Sequence, residues 1–245
     1  MLQTLNKTLL VLSLLITSSI ASASLITNGS FEELVFADNS TSQGTVFKTD
    51  LQTFENKKRG WDVFYTLPGW ITTAGNGIEL QKNIVTKSAD GNNHVELDSH
   101  PSSSSNTVMT QSLESLTIGA EYLLEFSYKA RTNKLNDNGI KVFWHNTTTD
   151  FNLDMDTDEV FHINLTKQQT PNWAVQSMVL TAQSKTMDLS FGAFGKENSL
   201  GGLLDNVSLV QISNSRAVDV PEPSAFALLL LGIAILVRRQ QNKSK

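Results

Sequence analysis

Trp61, Tyr65, Trp70, Trp144 and Trp173 are the side chains with which this chain could grip a ring-shaped ligand. A sugar ring has apolar faces and polar rims, so a site for one needs an exposed aromatic beside hydrogen-bonding groups. Trp144 shares strand parity with Ile140 and Val142, which assigns it to the core. Trp70 follows Pro68-Gly69 in a tight turn and is expected beneath the edge of the fold. Trp61 and Tyr65 lie in a less regular stretch and are free to be exposed. Polar groups stand on the faces opposite the apolar positions: Glu79, Gln81, His94, Glu96, Lys129 and Arg131. Singly, each reads more readily as a solvated surface residue than as a ligand contact. Together they give a candidate ligand-binding set of Trp61, Tyr65, Glu79, His94, Glu96 and Arg131.

Catalytic chemistry finds less support. Glycoside hydrolysis needs two carboxylates at a fixed separation, one with a raised pKa, and the spacing pairs no two acids across a cleft. His94, His100, His145 and His162 are scattered, with no His-x-x-x-His pair. There is no Gly-x-Ser-x-Gly elbow, no glycine-rich phosphate loop and no cysteine. No catalytic residue is assigned. Asp154-Met155-Asp156-Thr157-Asp158-Glu159 starts like an EF-hand loop but lacks the later glycine and glutamate, and reads as an acidic surface loop.

The elements that must position these groups are strands. Residues 24–213 read as one domain whose apolar segments are short, rich in Val, Ile, Phe, Tyr and Thr, and separated by polar turn clusters. From Tyr122 to Arg131, Leu124, Phe126 and Tyr128 face one side and Glu125, Ser127, Lys129 and Arg131 the other. Asn93 to Asp98 alternates likewise, with Val95 and Leu97 inward. Further strands are expected at 77–81, 107–111, 140–144, 175–181, 186–191 and 203–212, and irregular polar stretches at 38–58 and 146–171. No helical periodicity competes, so the fold class is all-β, a jelly roll or other β-sandwich.

Nineteen Lys and Arg stand against 24 Asp and Glu, a formal net charge of -5. No basic patch is evident in the middle of the chain, so no nucleic acid is expected as a partner; neutral glycans or divalent cations are. Without cysteine, stability rests on core packing and on any bound metal.

The two ends read as addresses. Lys7, the apolar run from Leu9 to Ile16, and Ala21-Ser22-Ala23 form a signal peptide over 1–23, cut by signal peptidase after Ala23. At the other end, Pro221-Glu222-Pro223 precedes an apolar run from Ala225 to Val237 and then Arg238-Arg239. Those 13 apolar residues cover roughly 20 Å as a helix, short of a ~30 Å hydrocarbon core. A single transmembrane helix over 224–237 narrows the gap if the arginines snorkel, with the basic end cytoplasmic. A linker over 214–219 joins it to the domain, and Pro221 and Pro223 keep the approach extended and accessible.

Two resemblances follow from these residues. The tail over 220–245 resembles the PEP-CTERM sorting signal of Gram-negative bacteria through Pro221, Glu222, Pro223, Arg238 and Arg239. That resemblance implies an exosortase-type membrane peptidase as partner, a transient anchor in the inner membrane, and a final place at the cell surface or in the extracellular matrix. The second runs through Asn28-Gly29-Ser30-Phe31-Glu32, Leu67-Pro68-Gly69-Trp70, Gly77-Ile78-Glu79-Leu80, Asp90 to Asp98, Tyr122 to Arg131 and Gly201 to Leu209. In this order they look like the galactose-binding-like jelly rolls, carbohydrate-binding modules among them. The insert between Glu33 and Trp61 departs from the shorter family pattern.

What the second resemblance implies is polysaccharide binding without catalysis, the cell's own exopolysaccharide being the expected ligand. A structural surface or biofilm protein with no glycan ligand, and an unrecognised glycan hydrolase, stay open as alternatives. It also implies a structural calcium ion, Ca2+, shared between Glu32 near the start of the domain and Asp205 near its end. Calcium takes six to eight oxygen ligands, and a carboxylate between Leu204 and Val207 needs a partner.

Overall fold

The computed structural model describes residues 23–147 and 158–212. The expected signal sequence before Ala23, the acidic stretch from Asp154 to Thr157, the linker and the sorting tail lie outside these residues. Among the described residues no helix is long and apolar enough to cross a membrane.

Strands, numbered along the chain, form two six-stranded sheets. The first sheet is ordered β1 (Trp61–Phe64), β4 (Ile78–Lys82), β5 (Asn93–Glu96), β12 (Gly202–Ile212), β7 (Glu121–Ala130), β10 (Ala174–Thr181). In the second the order is β2 (Thr66–Leu67), β3 (Trp70–Ala74), β6 (Val108–Leu113), β11 (Met187–Phe194), β8 (Gly139–Asn146), β9 (Glu159–Ile163). Every neighbouring pair is antiparallel. The chain crosses between sheets at each step from β5 to β8 and again from β9 to β12, the winding of a jelly-roll sandwich.

Period-two alternation builds the core. Leu124, Phe126 and Tyr128 of β7 are fully buried, facing Phe191 and Leu189 of β11 across the sandwich core. Each such side chain contributes about 1.5–3 kcal/mol by leaving water. Trp70 packs between Phe31 and Phe191, with ring centroids 6.1 and 6.0 Å away. Trp144 is buried too and donates its Nε1–H to the carbonyl of Thr181 at 2.8 Å. Both tryptophans thus occupy the places their parity and turn position assign.

β1, β2, β3 and β9 fall outside the strands expected from sequence. Between 38 and 58 a 3-10 turn, Leu51–Asn56, starts at Asp50, whose carboxylate accepts from the Gln52 N–H at 2.9 Å. It buries Leu51 and Phe54 and sets the Phe54 ring edge-on to Phe64 at 5.9 Å.

The domain's first residues run beside its last strand. Leu25 N–H donates to Leu209 at 2.8 Å and Val207 N–H to Gly29 at 2.9 Å. Gly29 is needed there, because a Cβ on it would lie 1.9 Å from the Val207 carbonyl oxygen. The register of β12 against β7 shifts between Asp205 and Ser208, a bulge that lets this approach occur just after Asp205.

Candidate functional site

Strand register assembles the outward face of the first sheet, because cross-strand partners point the same way. Trp61 stands opposite Gln81, and Gln81 opposite His94. One row along, Val63 stands opposite Glu79, Glu79 opposite Glu96, Glu96 opposite Leu203, and Leu203 opposite Lys129. Residues scattered through the sequence thereby become two adjacent rows.

These groups are not solvated, contrary to the expectation for the face opposite the core. Glu79, Gln81, His94 and Glu96 are each at most 1% exposed. Loops lie over them and supply partners. Glu79 accepts from the His100 backbone N–H at 3.0 Å and from His100 Nδ1 at 2.7 Å. Glu96 accepts from the Gly201 N–H at 2.6 Å and pairs with the Arg131 guanidinium, which also reaches the Ser199 carbonyl at 3.1 Å. The Gln81 amide bridges the two carboxylates, donating to Glu79 at 2.8 Å and to Glu96. With its nitrogen so used, its oxygen takes the His94 Nε2–H at 3.2 Å, and Nδ1 is left to accept from Ser88 at 2.9 Å. Lys129 is turned to Thr86, at 2.8 Å.

Burial sets the protonation of this cluster. It pushes Glu96 up to about 8, with the facing Glu79 charge adding to the rise and Arg131 and Gly201 opposing it. The contacts around Glu96 are those of an ionised carboxylate, so desolvation and donors pull in opposite directions, and desolvation is the larger. His94 is pushed down to about 4 by burial and then by Lys129 and Arg131, which keeps it neutral. Glu79 and Glu96 sit directly opposite one another, a carboxylate pairing that sequence spacing did not reveal. Both are sealed under the loops.

Above this base lies an aromatic surface. Trp61 is half-buried, with the His100 ring 4.4 Å away and tilted 33°, and the Phe47 ring edge-on at 4.7 Å. His100 keeps 37% of its side chain exposed. Tyr65 is 57% exposed but follows the opposite end of β1, roughly 13 Å along the strand from Trp61. Trp173 covers His94 at 5.6 Å and donates its Nε1–H to the Lys87 carbonyl at 2.8 Å. Of the six residues proposed from sequence, Trp61 and Tyr65 are open to a ligand. Glu79, His94 and Glu96 form the foundation under the face, and Arg131 is locked to Glu96. Phe47 and His100 were missed because they belong to irregular segments with no parity to read.

Glu32 and Asp205 engage one loop from two sides. Glu32 accepts from the N–H groups of Asn92 and Asn93, at 2.7 and 2.6 Å. Asp205 accepts from those of Ala89 and Asp90, at 2.7 and 3.0 Å. Ser30 ties in Asp90 at 2.7 Å. Gly91, at φ +59°, leaves no room for a Cβ, which would lie 2.4 Å from Glu32 Oε1. Burial pushes Asp205 up to about 7 against three backbone donors. Among the described residues no three His, Asp or Glu side chains gather to hold a metal by themselves. The loop presents its backbone N–H groups to both carboxylates, and the one oxygen here left over is the buried Asn93 Oδ1, on the side chain that donates to Glu32, which has no hydrogen-bond partner.

No protein-family model matches the chain. Similar curated proteins are the multifunctional-autoprocessing repeats-in-toxin proteins of Vibrio vulnificus and Vibrio cholerae, each 26% identical over 156 and 158 residues, 63% of this chain. The chain spans 3% of the length of those proteins. Among solved structures it is similar to TmCBM61 in complex with β-1,4-galactotriose, with a TM-score of 0.43 and 12% identity, covering 78% of this chain and 100% of that one. It is also similar to the CBM22-1 xylan-binding domain of Paenibacillus barcinonensis Xyn10C, at a TM-score of 0.39 and 13% identity, covering 60% and 88%. The ligands in those names belong to those proteins; the sandwich here rests on the chain's own strand pairing.

Proposed function

We propose that this chain is an exported surface or extracellular-matrix protein whose sandwich binds polysaccharide without catalysis. The observation that carries the reading is Trp61, held outward between Phe47 and His100. The part of the indole that His100 and Phe47 leave uncovered offers apolar surface to the C–H face of a pyranose, and it loses little rotamer freedom on binding because its neighbours already hold it. The buried network from His94 to Arg131 supports that role by fixing His100 and the loops, so the platform is preorganised. Trp61→Ala is expected to weaken binding roughly 30-fold, the fold-change for an aromatic anchor of ~2 kcal/mol. Affinity electrophoresis through gels carrying a panel of polysaccharides measures this. Retention by no glycan, with self-association in its place, would favour the purely structural alternative.

The sorting reading rests on the tail sequence alone. Replacing Pro221-Glu222-Pro223 by alanines is expected to leave the exported protein in the inner membrane at its full carboxyl-terminal length, as fractionation and mass spectrometry would read. Normal release of that variant would rule out exosortase handling. We also propose that a calcium ion binds Glu32 and Asp205, supported by the loop both carboxylates engage and by the unpartnered Asn93 Oδ1 beside Glu32; it would have to displace loop N–H groups that now donate to them. Bound there, calcium would supply positive charge to a buried carboxylate and staple the start of the domain to its last strand.

A further inference from the structure

The chain carries net negative charge, yet the structure gathers cations beside Trp61. Lys48, Lys57, Lys58 and Arg59 line a depression of about 230 Å³ together with Phe47 and Thr49. All four charged side chains are exposed, and among the described residues none has a carboxylate within ion-pair distance. Three of these cations are consecutive, Lys57-Lys58-Arg59, and the helical turn Leu51–Asn56 brings Lys48 to them.

The depression has a fixed shape. The buried Asp62 carboxylate accepts from the N–H groups of Val46, Phe47 and Thr49, at 3.1, 3.2 and 3.0 Å. That clamp holds Lys48 at φ +54°, a left-handed conformation an unrestrained lysine seldom adopts. The Arg59 guanidinium lies 4.1 Å over the Phe47 ring, and Phe47 in turn meets Trp61. Aromatic plane and cationic depression are therefore one continuous surface.

We propose that this depression takes the anionic substituent, carboxylate or sulfate, of an acidic polysaccharide whose sugar ring lies on Trp61. The inference rests on the glycan reading above and narrows its ligand class, replacing the neutral glycans expected from net charge. A nucleic acid strand would need cations repeated along its path. The cations around the depression are already engaged: Lys82 donates to the carbonyls of Glu55 and Lys57, and Lys129 and Arg131 are turned to Thr86 and Glu96. One depression next to one ring plane suits one charged sugar.

The test titrates the full-length protein with matched polymers: polygalacturonate against its methyl-esterified form, and dextran sulfate against dextran. The acidic member of one pair is expected to bind roughly tenfold or more tightly, the fold-change for a charge-assisted hydrogen bond, and the excess to shrink with salt. Lys57→Gln/Lys58→Gln should erase that preference while keeping the residual binding to the neutral polymer, and Trp61→Ala should lose both. The exposed lysine side chains make no internal contact that folding needs, so the variant remains interpretable. Equal binding of acidic and neutral members would overturn this inference and leave glycan binding standing; binding of no polymer would overturn both. Equal capture of single-stranded DNA or of phosphatidylserine vesicles, unaffected by Trp61→Ala, would identify a general polyanion surface and overturn the proposal.

Discussion

Arg131→Met is expected to destabilise the domain, with about 1.4 kcal/mol of the loss appearing between pH 8 and 9, because wild-type Glu96 ionises there beside Arg131 while the variant must keep a proton on it or strand its charge. Glu96 is fully buried and keeps the Gly201 N–H and the Gln81 amide, but neither carries charge. The deficit should depend on pH with a definite sign. Glu96 has a folded-state pKa raised to about 8, so the folded chain holds a proton that the unfolded chain releases above the ordinary glutamate range. Stability is present at low pH and is lost as pH rises through the folded value. Without Arg131 that value climbs further, so the deficit should widen from pH 6.5 to 9. His94 works in the opposite sense, its lowered pKa removing stability only as pH falls below 6.5 towards 4, and Asp205, raised to about 7, titrates alike in every variant and cancels from the difference. Denaturant melts of wild type, Arg131→Met and Arg131→Met/Glu96→Leu measure this. The double variant should recover most of the loss, since an apolar pair replaces a stranded charge. A pH-independent deficit, or no recovery, would show that the pair does not act as described.

Chelation is expected to lower the melting temperature by about 5–11 °C from a calcium-saturated state. A ligand at 100 times its Kd stabilises by about 2.7 kcal/mol, and a domain of this size moves roughly 2–4 °C per kcal/mol. The shift should be larger at pH 8 than at pH 5. Without a cation, burial pushes Asp205 up to about 7, so its ionisation removes stability as pH rises from the ordinary aspartate range through that value. A bound cation needs the ionised form and reverses that loss. Glu32→Ala and Asp205→Ala should each abolish the chelator effect. An undiminished shift in both variants would place any calcium elsewhere.

What was legible in the sequence followed from periodicity and from turn chemistry. β7 could be read to within a residue because Leu124, Phe126 and Tyr128 are buried on one side while Glu125 and Lys129 remain partly accessible on the other. β1 could not, because Asp62 is buried as the clamp for a loop, so Trp-Asp-Val-Phe shows no alternation. β9 sits at a sheet edge with polar residues interleaved, and β2 has only two residues.

The site was legible by residue type and not by environment. Trp61 was singled out as free to be exposed and is half-buried, but the acids and His94 beside it were expected in water. A strand's parity says which face a side chain points to, not whether a loop far along the chain lies over that face. Here His100, Ser199 and Gly201 lie over it, and their contacts with the first sheet span up to 105 residues of sequence. The basic depression is local in sequence, Lys48 with Lys57-Lys58-Arg59, and was passed over because the net charge of -5 served as the guide.

The most direct measurement is the position of a bound oligosaccharide, by crystallography or by chemical-shift mapping of the tryptophan indoles. A sugar ring lying over Trp61 and against His100, with its charged substituent towards Lys57 and Lys58, is the predicted result. A ring seated elsewhere, with the Trp61 signal unmoved at saturation, would contradict it.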